Sequence, residues 1–266
     1  MLRLSGSGSD LLDDVLAGRA RGRAADVLAA RLVRDGIVQP VRPTRDVEDA
    51  MTVVVPVRDD ADGLDRCLAA LRGLPVIVVD DGSADAAAIG ATADKHGVPV
   101  VWHALSRGPG AARNTGVAQV TTPLVAFVDA DARISADALR TLARWFTDPH
   151  IAAVAPRIRA ASAAPTVLHR FLSARSPLDL GPDAALVRPR GRVGYVPTTV
   201  LLCRRSALQS GFDEELRYGE DVDLVWRITD AGHQVRYDPG VVAHHREPAT
   251  WRAALMRRHR YGTSAG

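Results

Sequence analysis

Two aspartates one residue apart, Asp129 and Asp131, follow the apolar run LVAFV in the segment LVAFVDADARIS, residues 124–135. Side chains two apart on an extended chain leave the backbone on the same side, so both carboxylates are expected to emerge together at a strand end. Oxygen ligands so placed suit a hard divalent cation, Mg2+ or Mn2+, and such a cation can hold a diphosphate and offset its charge in a transfer reaction. Taken alone, the pattern fits equally well a solvated turn leading into a helix capped by Ser135. Two further segments tip the balance. VVVPVRDD places Arg58, Asp59 and Asp60 after a strand ended by Pro56. IVVDDGSAD places Asp80 and Asp81 before a Gly-Ser turn, where a carboxylate accepts from a base N–H or a ribose hydroxyl, or else closes an Asx turn. Acids at the ends of three successive parallel strands on one sheet edge are hard to explain as turn chemistry, and that edge is where open α/β sheets bind ligands.

Three more groups could join them. In SRGPGAARNTG, Arg107, Arg113 and Asn114 sit in or just after a glycine-rich loop opening a helix, a setting that favours a phosphate or carboxylate partner. The loop is not a P-loop, since the Gly-Lys-Ser/Thr ending is absent. Pairing of Arg113 with a neighbouring acid across the fold explains the residue just as well. YGEDVDLVWRITDAG sets Glu220 and Asp221 in the first turn of a helix, where acids also serve simply as complements to the helix dipole. DPGVVAHHRE brings His244 and His245 after an apolar strand; one histidine with two aspartates makes a mixed nitrogen and oxygen metal set.

The elements that must position these groups follow from periodicity. From Met51 onward, short β-branched runs (MTVVVPV, PVIVVDDGS, VPVVWH, LVAFVDAD) alternate with helical segments (DGLDRCLAALRGL, ADAAAIGATADKHG, GPGAARNTGVAQV), which predicts βαβ units and a largely parallel sheet. ADALRTLARWF and IAAVAPRIR are expected to continue the scheme, whereas residues 160–194, rich in Ala, Pro, Arg and Gly, read as a surface excursion or flexible loop beside the site. Residues 1–42 differ: a short strand at LRLS, two helices with apolar positions three and four apart, and a strand ending at Pro40 predict a small helical or winged-helix unit. The polar stretch 43–50 with Pro43 is the linker, and 51–266 the α/β domain.

Composition bounds the alternatives. The 266 residues suffice for one sizeable α/β core and a small appendage, and 47% hydrophobic with 24% charged residues excludes a fibrous or disordered chain. The positive side is almost all arginine, Lys95 being the only lysine, and a net charge of +3 is too small to argue for nucleic acid. Arg257, Arg258 and Arg260 mark where peripheral contact with an anionic membrane is expected. Cys67 and Cys203 lie in a helical and an apolar strand pattern and lack CxxC partners, which points to buried thiols in a reducing cytoplasm. With no signal peptide and no membrane span, this part of the protein is expected to be soluble.

Together, VVVPVRDD, IVVDDGSAD, GPGAARNTGV, FVDADA, GFDEELRYGEDVDLVWR and the later histidine resemble the inverting family 2 glycosyltransferases of the GT-A fold, over about residues 51–262. The resemblance implies a nucleotide-sugar site made by Pro56, Asp59, Asp81, Arg107, Arg113 and Asp129, and a Mn2+ or Mg2+ site made by Asp129, Asp131 and His245, with His244 as runner-up. It makes Asp221 the catalytic base, supported by Glu220 on the acceptor side. More narrowly, the chain resembles the mycofactocin-system group of that family, which implies UDP-glucose as donor and a peptide-derived redox cofactor as acceptor. LRLS...LLDDVLAG...LAARLVRDGIVQP resembles the small winged-helix peptide-recognition domains of ribosomal peptide maturation. Members of that group are longer, so the chain is expected to be C-terminally truncated, with membrane association at the inner face of the plasma membrane residing in the missing portion. The Gln-x-x-Arg-Trp signature of processive polysaccharide synthases is absent. A cell-envelope glycan transferase of rhamnosyl or galactofuranosyl type and a non-catalytic peptide-binding scaffold remain the alternatives. A nucleotidyltransferase would need a basic glycine-rich loop after the first strand, which VVVPVRDDADG does not provide.

Overall fold

The computed structural model describes residues 6–47, 50–161 and 166–262. The chain divides into two compact units, 1–42 and 43–266. In the first, α1 (Gly6–Leu16) and α2 (Arg23–Arg34) form a helical pair. α2 carries Asp26 in its first turn and Arg31 and Arg34 in its last, each the charge that complements the helix dipole there. Gly36 at φ 71° ends it and lets Ile37 N–H donate back to the Leu32 carbonyl at 2.9 Å. The strand expected to end at Pro40 does not form: residues 37–40 pair with no other strand among the described residues, and Pro40 has no N–H to give a ladder. The strand expected at LRLS lies outside the described residues.

The second unit is an α/β domain with a mostly parallel central sheet. Its elements are β1 (Met51–Val57), α3 (Ala61–Ala70), β2 (Val76–Asp80), α4 (Ala86–His96), β3 (Val100–Trp102), α5 (Pro109–Ala118), β4 (Leu124–Val128), β5 (Ala132–Arg133) and α6 (Ala136–Ala143). There follow β6 (Ile151–Ala160), α7 (Val167–Ala174), β7 (Ala185–Leu186), β8 (Val200–Arg204), α8 (Glu220–Asp230), β9 (Gln234–His245) and α9 (Trp251–Gly262). Spatial order is β3-β2-β1-β4-β8-β6-β9-β5, with β7 on β9. β1 is parallel to both β2 and β4, and β6 to β9. β6 does not continue the βαβ scheme beside β4, however, because β8 inserts antiparallel between them.

β1 is buried along nearly its whole length, as a parallel strand covered on both faces must be. Val53 and Val55 face Leu64, Cys67 and Leu68 of α3 and Leu139 and Leu142 of α6. Val54, Val79 and Phe127 face Ala112 of α5 and Leu224, Val225 and Ile228 of α8 on the other side. Both cysteines are buried free thiols, whose pKa burial pushes up.

Residues 160–194 are not a loose excursion. The described part folds as α7 and β7, with Leu168, Leu172, Leu178, Val187 and Val193 buried. α7 does carry a helical spacing, Leu168 and Leu172 being four apart and both buried, whereas the two-residue β7 is too short to leave an alternating pattern. α9 also departs from expectation. Arg257 pairs with Glu247, and Arg258 donates to the Arg175 carbonyl and lies 4.9 Å from the Phe171 ring centroid, so these two cations are engaged within the protein. Among the described residues no helix is long and apolar enough to cross a membrane.

Candidate active site

The carboxyl ends of β2, β1 and β4 stand side by side, so the loops that follow them share one edge. After β1, Asp59 adopts φ 54°, a left-handed conformation that a short polar residue tolerates. Its Oδ1 accepts from Ala84 N–H at 2.7 Å, and its own N–H donates to Ser83 Oγ at 2.9 Å, which ties the β1 loop to the β2 turn. Ser83 Oγ in turn donates to Asp80. Gly82, at φ 69°, lets this turn approach the next loop: a Cβ there would stand 2.6 Å from Ser106 N.

Asp81 is the hub of that loop. Its carboxylate lies 2.8 Å from His103 Nδ1 and accepts from Ser106 Oγ at 2.7 Å, Arg107 N–H at 2.8 Å and Gly108 N–H at 2.9 Å. Burial raises its pKa, but these partners outweigh burial and hold it below the ordinary carboxylate range. A carboxylate has about four lone-pair sites, so Asp81 is here committed to the segment that opens α5. His103 Nε2 lies 2.9 Å from Thr115 Oγ1, which extends the link into α5 itself. Arg107 turns its guanidinium outward to Glu214, 2.7 Å away. Asn114 donates to the Phe212 carbonyl at 2.9 Å and accepts from Phe212 N–H at 2.7 Å, tethering the approach to α8.

Arg113 joins the two halves of the site. Its side chain is 5% exposed, and it donates to Asp129 Oδ1 and to Glu220 Oε1, each at 2.8 Å. Burial disfavours its charge, but the two carboxylates outweigh burial and raise its pKa. The pKa of Asp129 is raised, burial being the largest cause and the like charge of Asp131 adding to it against the pull of Arg113. Asp221, next to Glu220 in the first turn of α8, is pushed up to about 6, first by burial and then by the charge of Glu220. Its hydrogen bonds come from backbone N–H groups of that turn, Val222 N–H at 2.9 Å among them. Gly219, at φ 83°, is the left-handed residue that lets α8 start there.

Asp129 and Asp131 do not extend β4. They lie in a turn closed by a 2.9 Å hydrogen bond from Ala132 N–H to the Asp129 carbonyl, so strand alternation does not apply and the two carboxylates meet different partners. Asp131 lies 3.2 Å from His245 Nε2. Burial lowers the pKa of His245, but Asp131 and Glu247 outweigh it and raise it to about 9. Burial raises that of Asp131, and His245 together with Arg246 and Arg257 brings it below the ordinary value. His244 points away from this pair; it is opposite Arg133 on β5 and Arg159 on β6, and burial and then those two arginines lower its pKa.

Among the described residues no group of three or more His, Cys, Asp or Glu side chains is already gathered as a metal cage. The donor set of Asp129, Asp131 and His245 nevertheless fits a divalent cation in type, because it offers two carboxylates and an imidazole whose Nε2 lies 3.2 Å from Asp131. The structure thus brings Asp129, Glu220 and Asp221 around Arg113, and Asp131 beside His245. It gathers Asp59, Asp81, Ser106 and His103 into a loop frame after β1 and β2, with Arg107 on its outer surface and Pro56 inside β1 opposite Val79. His103 and Ser106 were not singled out from the sequence, since a lone histidine or serine after a strand carries no spacing signal. Tyr195 was also missed; burial and then the charge of Asp221 raise its pKa, which places it in the Asp221 environment.

Residues 52–212 match the family model described as glycosyl transferase family 2. The chain is 41% identical over 273 residues to the pre-mycofactocin glycosyltransferase of Mycobacterium tuberculosis (strain ATCC 25618 / H37Rv), a match covering all of this chain and 57% of that protein. It is 33% identical over 197 residues to the succinoglycan biosynthesis protein ExoU of Rhizobium meliloti, covering 68% of this chain and 57% of the relative. The chain thus spans a little over half the length of these relatives. Among solved structures, the mannosyltransferase PcManGT from Pyrobaculum calidifontis, in complex with GDP-Man and Mn2+, superposes with a TM-score of 0.63 at 21% identity, over 95% of this chain and 72% of that one. Such a likeness shows the fold, which is that of the GT-A glycosyltransferases. The chain belongs to glycosyl transferase family 2.

Proposed function

We propose that this chain carries a metal-dependent, inverting sugar transfer from a nucleotide sugar to an acceptor hydroxyl, with Asp221 as the base. The observation that carries the reading is the Asp129–Arg113–Glu220 bridge, which holds the DxD turn and the start of α8 in one buried network beside Asp221. Asp221, with a pKa near 6, is ionised at neutral pH yet basic enough to take a proton, the compromise general-base catalysis needs. It removes the acceptor hydroxyl proton as that oxygen bonds to the anomeric carbon; the bond to the diphosphate oxygen breaks and its electron pair leaves with the diphosphate. Attack from the face opposite the leaving group inverts the anomeric centre without a covalent intermediate. Glu220 keeps Arg113 in place and raises the basicity of Asp221. Asp129, Asp131 and His245 would hold Mn2+ or Mg2+, which would supply Lewis-acid neutralisation of the leaving diphosphate. The nucleotide lies against the frame of Pro56, Asp59, Asp81 and Arg107; Asp59, whose side chain is 50% exposed, offers the accessible carboxylate.

UDP-glucose as donor and a peptide-derived redox cofactor of the mycofactocin kind as acceptor are the narrower reading, supported by the 41% relative. A cell-surface glycan acceptor is the second reading, supported by the succinoglycan relative. The test is Asp221→Asn with UDP-glucose, GDP-mannose and dTDP sugars in the presence of Mn2+. The variant is expected to bind the preferred donor as the parent does and to lose transfer by about two to four orders of magnitude. Transfer at the parental rate removes Asp221 from its role, and a product that retains the donor's anomeric configuration removes the mechanism.

A further inference from the structure

A cavity of about 420 Å³ opens beside Asp131, and the mechanism uses none of its cations. Among the described residues its wall takes Arg66 from α3, Arg133 from β5 and Arg246 from the segment after β9. Arg246 is occupied, its guanidinium lying 2.6 Å from Asp60. Arg66 and Arg133 have no hydrogen bond, ion pair or ring contact among the described residues. Of the two acids in the wall, Glu247 is paired with Arg257, and Asp131 alone stands against the two arginines. The lining therefore carries uncompensated positive charge.

One feature adds to that sign. α7 begins at the cavity, with Thr166 capping its first turn by accepting from His169 N–H at 3.1 Å, so the positive end of the helix dipole lies in the wall. Arg133 is held in the wall by the pairing of β5 with β9, opposite His244. The volume lies in the range of small-ligand pockets, and both arginines reach it from exposed positions. Guanidinium groups left without partners around such a space bind a phosphate or carboxylate through paired N–H···O contacts.

We propose that this cavity is an anion-binding site, built on Arg66 and Arg133, for the phosphate or carboxylate group of a ligand other than the nucleotide. It goes beyond the transferase reading, because neither arginine belongs to the donor or base machinery.

The test uses the whole chain and three probes: inorganic phosphate, glutarate and UDP with Mn2+, read by thermal shift and by calorimetry, with chloride at matched ionic strength as control. Phosphate or glutarate is expected to stabilise the parent above the chloride control, and saturating UDP is expected to leave that binding unchanged; which anion binds more tightly identifies the class. Arg66→Gln and Arg133→Gln are each expected to weaken the anion by about tenfold while UDP binding is preserved, which also shows the variants folded. Stabilisation by neither anion overturns the proposal. So does anion binding unaltered in both variants, and so does competition between UDP and the anion, which would make the cavity part of the nucleotide site. None of these outcomes bears on Asp221, so the proposal can fail while the transferase reading stands.

Discussion

Replacing Arg113 by methionine probes the bridge on which the site depends. The guanidinium makes two charged hydrogen bonds, each 2.8 Å long, to Asp129 and Glu220, and lies 5.4 Å from the Phe212 ring centroid. Methionine keeps most of the apolar stem, so the loss is electrostatic. Hydrogen bonds to charged groups are worth about 1.5–3 kcal/mol each, and removing one partner from a buried ion pair costs about 3–5 kcal/mol because the other charge is stranded. We take roughly 3–5 kcal/mol as the expected loss at neutral pH, which for a domain of this size lowers Tm by about 6–20 °C. The sign of the pH dependence follows from the stranded acids. Asp129, already raised by burial, rises further without its cation, so the folded variant binds protons that the unfolded chain releases above about pH 4. The deficit against the parent should therefore grow from about pH 5 to about pH 8. Urea unfolding at both pH values measures it. A loss below about 1 kcal/mol, or one equal at the two pH values, would refute the stranded-charge argument.

Three further outcomes are expected. The acid limb of the transfer pH profile should inflect near 6, where Asp221 gains its proton, and Glu220→Gln should move the inflection lower by removing the like charge; an unmoved limb assigns it to another group. In metal-free protein the raised pKa of His245 contributes stability that, while Asp131 stays ionised, is fully present below about pH 6.5 and is lost as pH rises through about 9. His245→Gln should flatten that alkaline loss, and Mn2+ binding to the parent should strengthen with pH as the displaced proton becomes cheaper to release, which calorimetry in two buffers detects. Gly82→Ala should loosen the Asp81 frame and weaken UDP binding while leaving the fold intact, since a Cβ there meets the Ser106 backbone at 2.6 Å; unchanged UDP affinity would show that the frame does not support the nucleotide.

Much of this protein was legible from residue order. The alternation of β-branched runs with helical segments after Met51 specifies βαβ units, because each strand in a parallel sheet must be apolar on both faces and each crossover helix must present one apolar stripe. Acids placed at strand ends by the same alternation fall on one edge without any knowledge of distances. Tertiary structure alone decided the pairing of those acids. Arg113 and Glu220 are 107 positions apart, and no local pattern announces that one guanidinium will hold both Asp129 and Glu220. Likewise the choice of His245 over His244 rests on which side of β9 faces the DxD turn, and the saturation of Asp81 rests on a loop from another strand folding back over it. β8 entered the sheet antiparallel, and β7 paired with β9, through contacts with strands distant in the chain that no local pattern announces. Periodicity is a property of neighbours in the chain, whereas charge pairing and burial depend on neighbours in space, and this site is made almost wholly of the second kind.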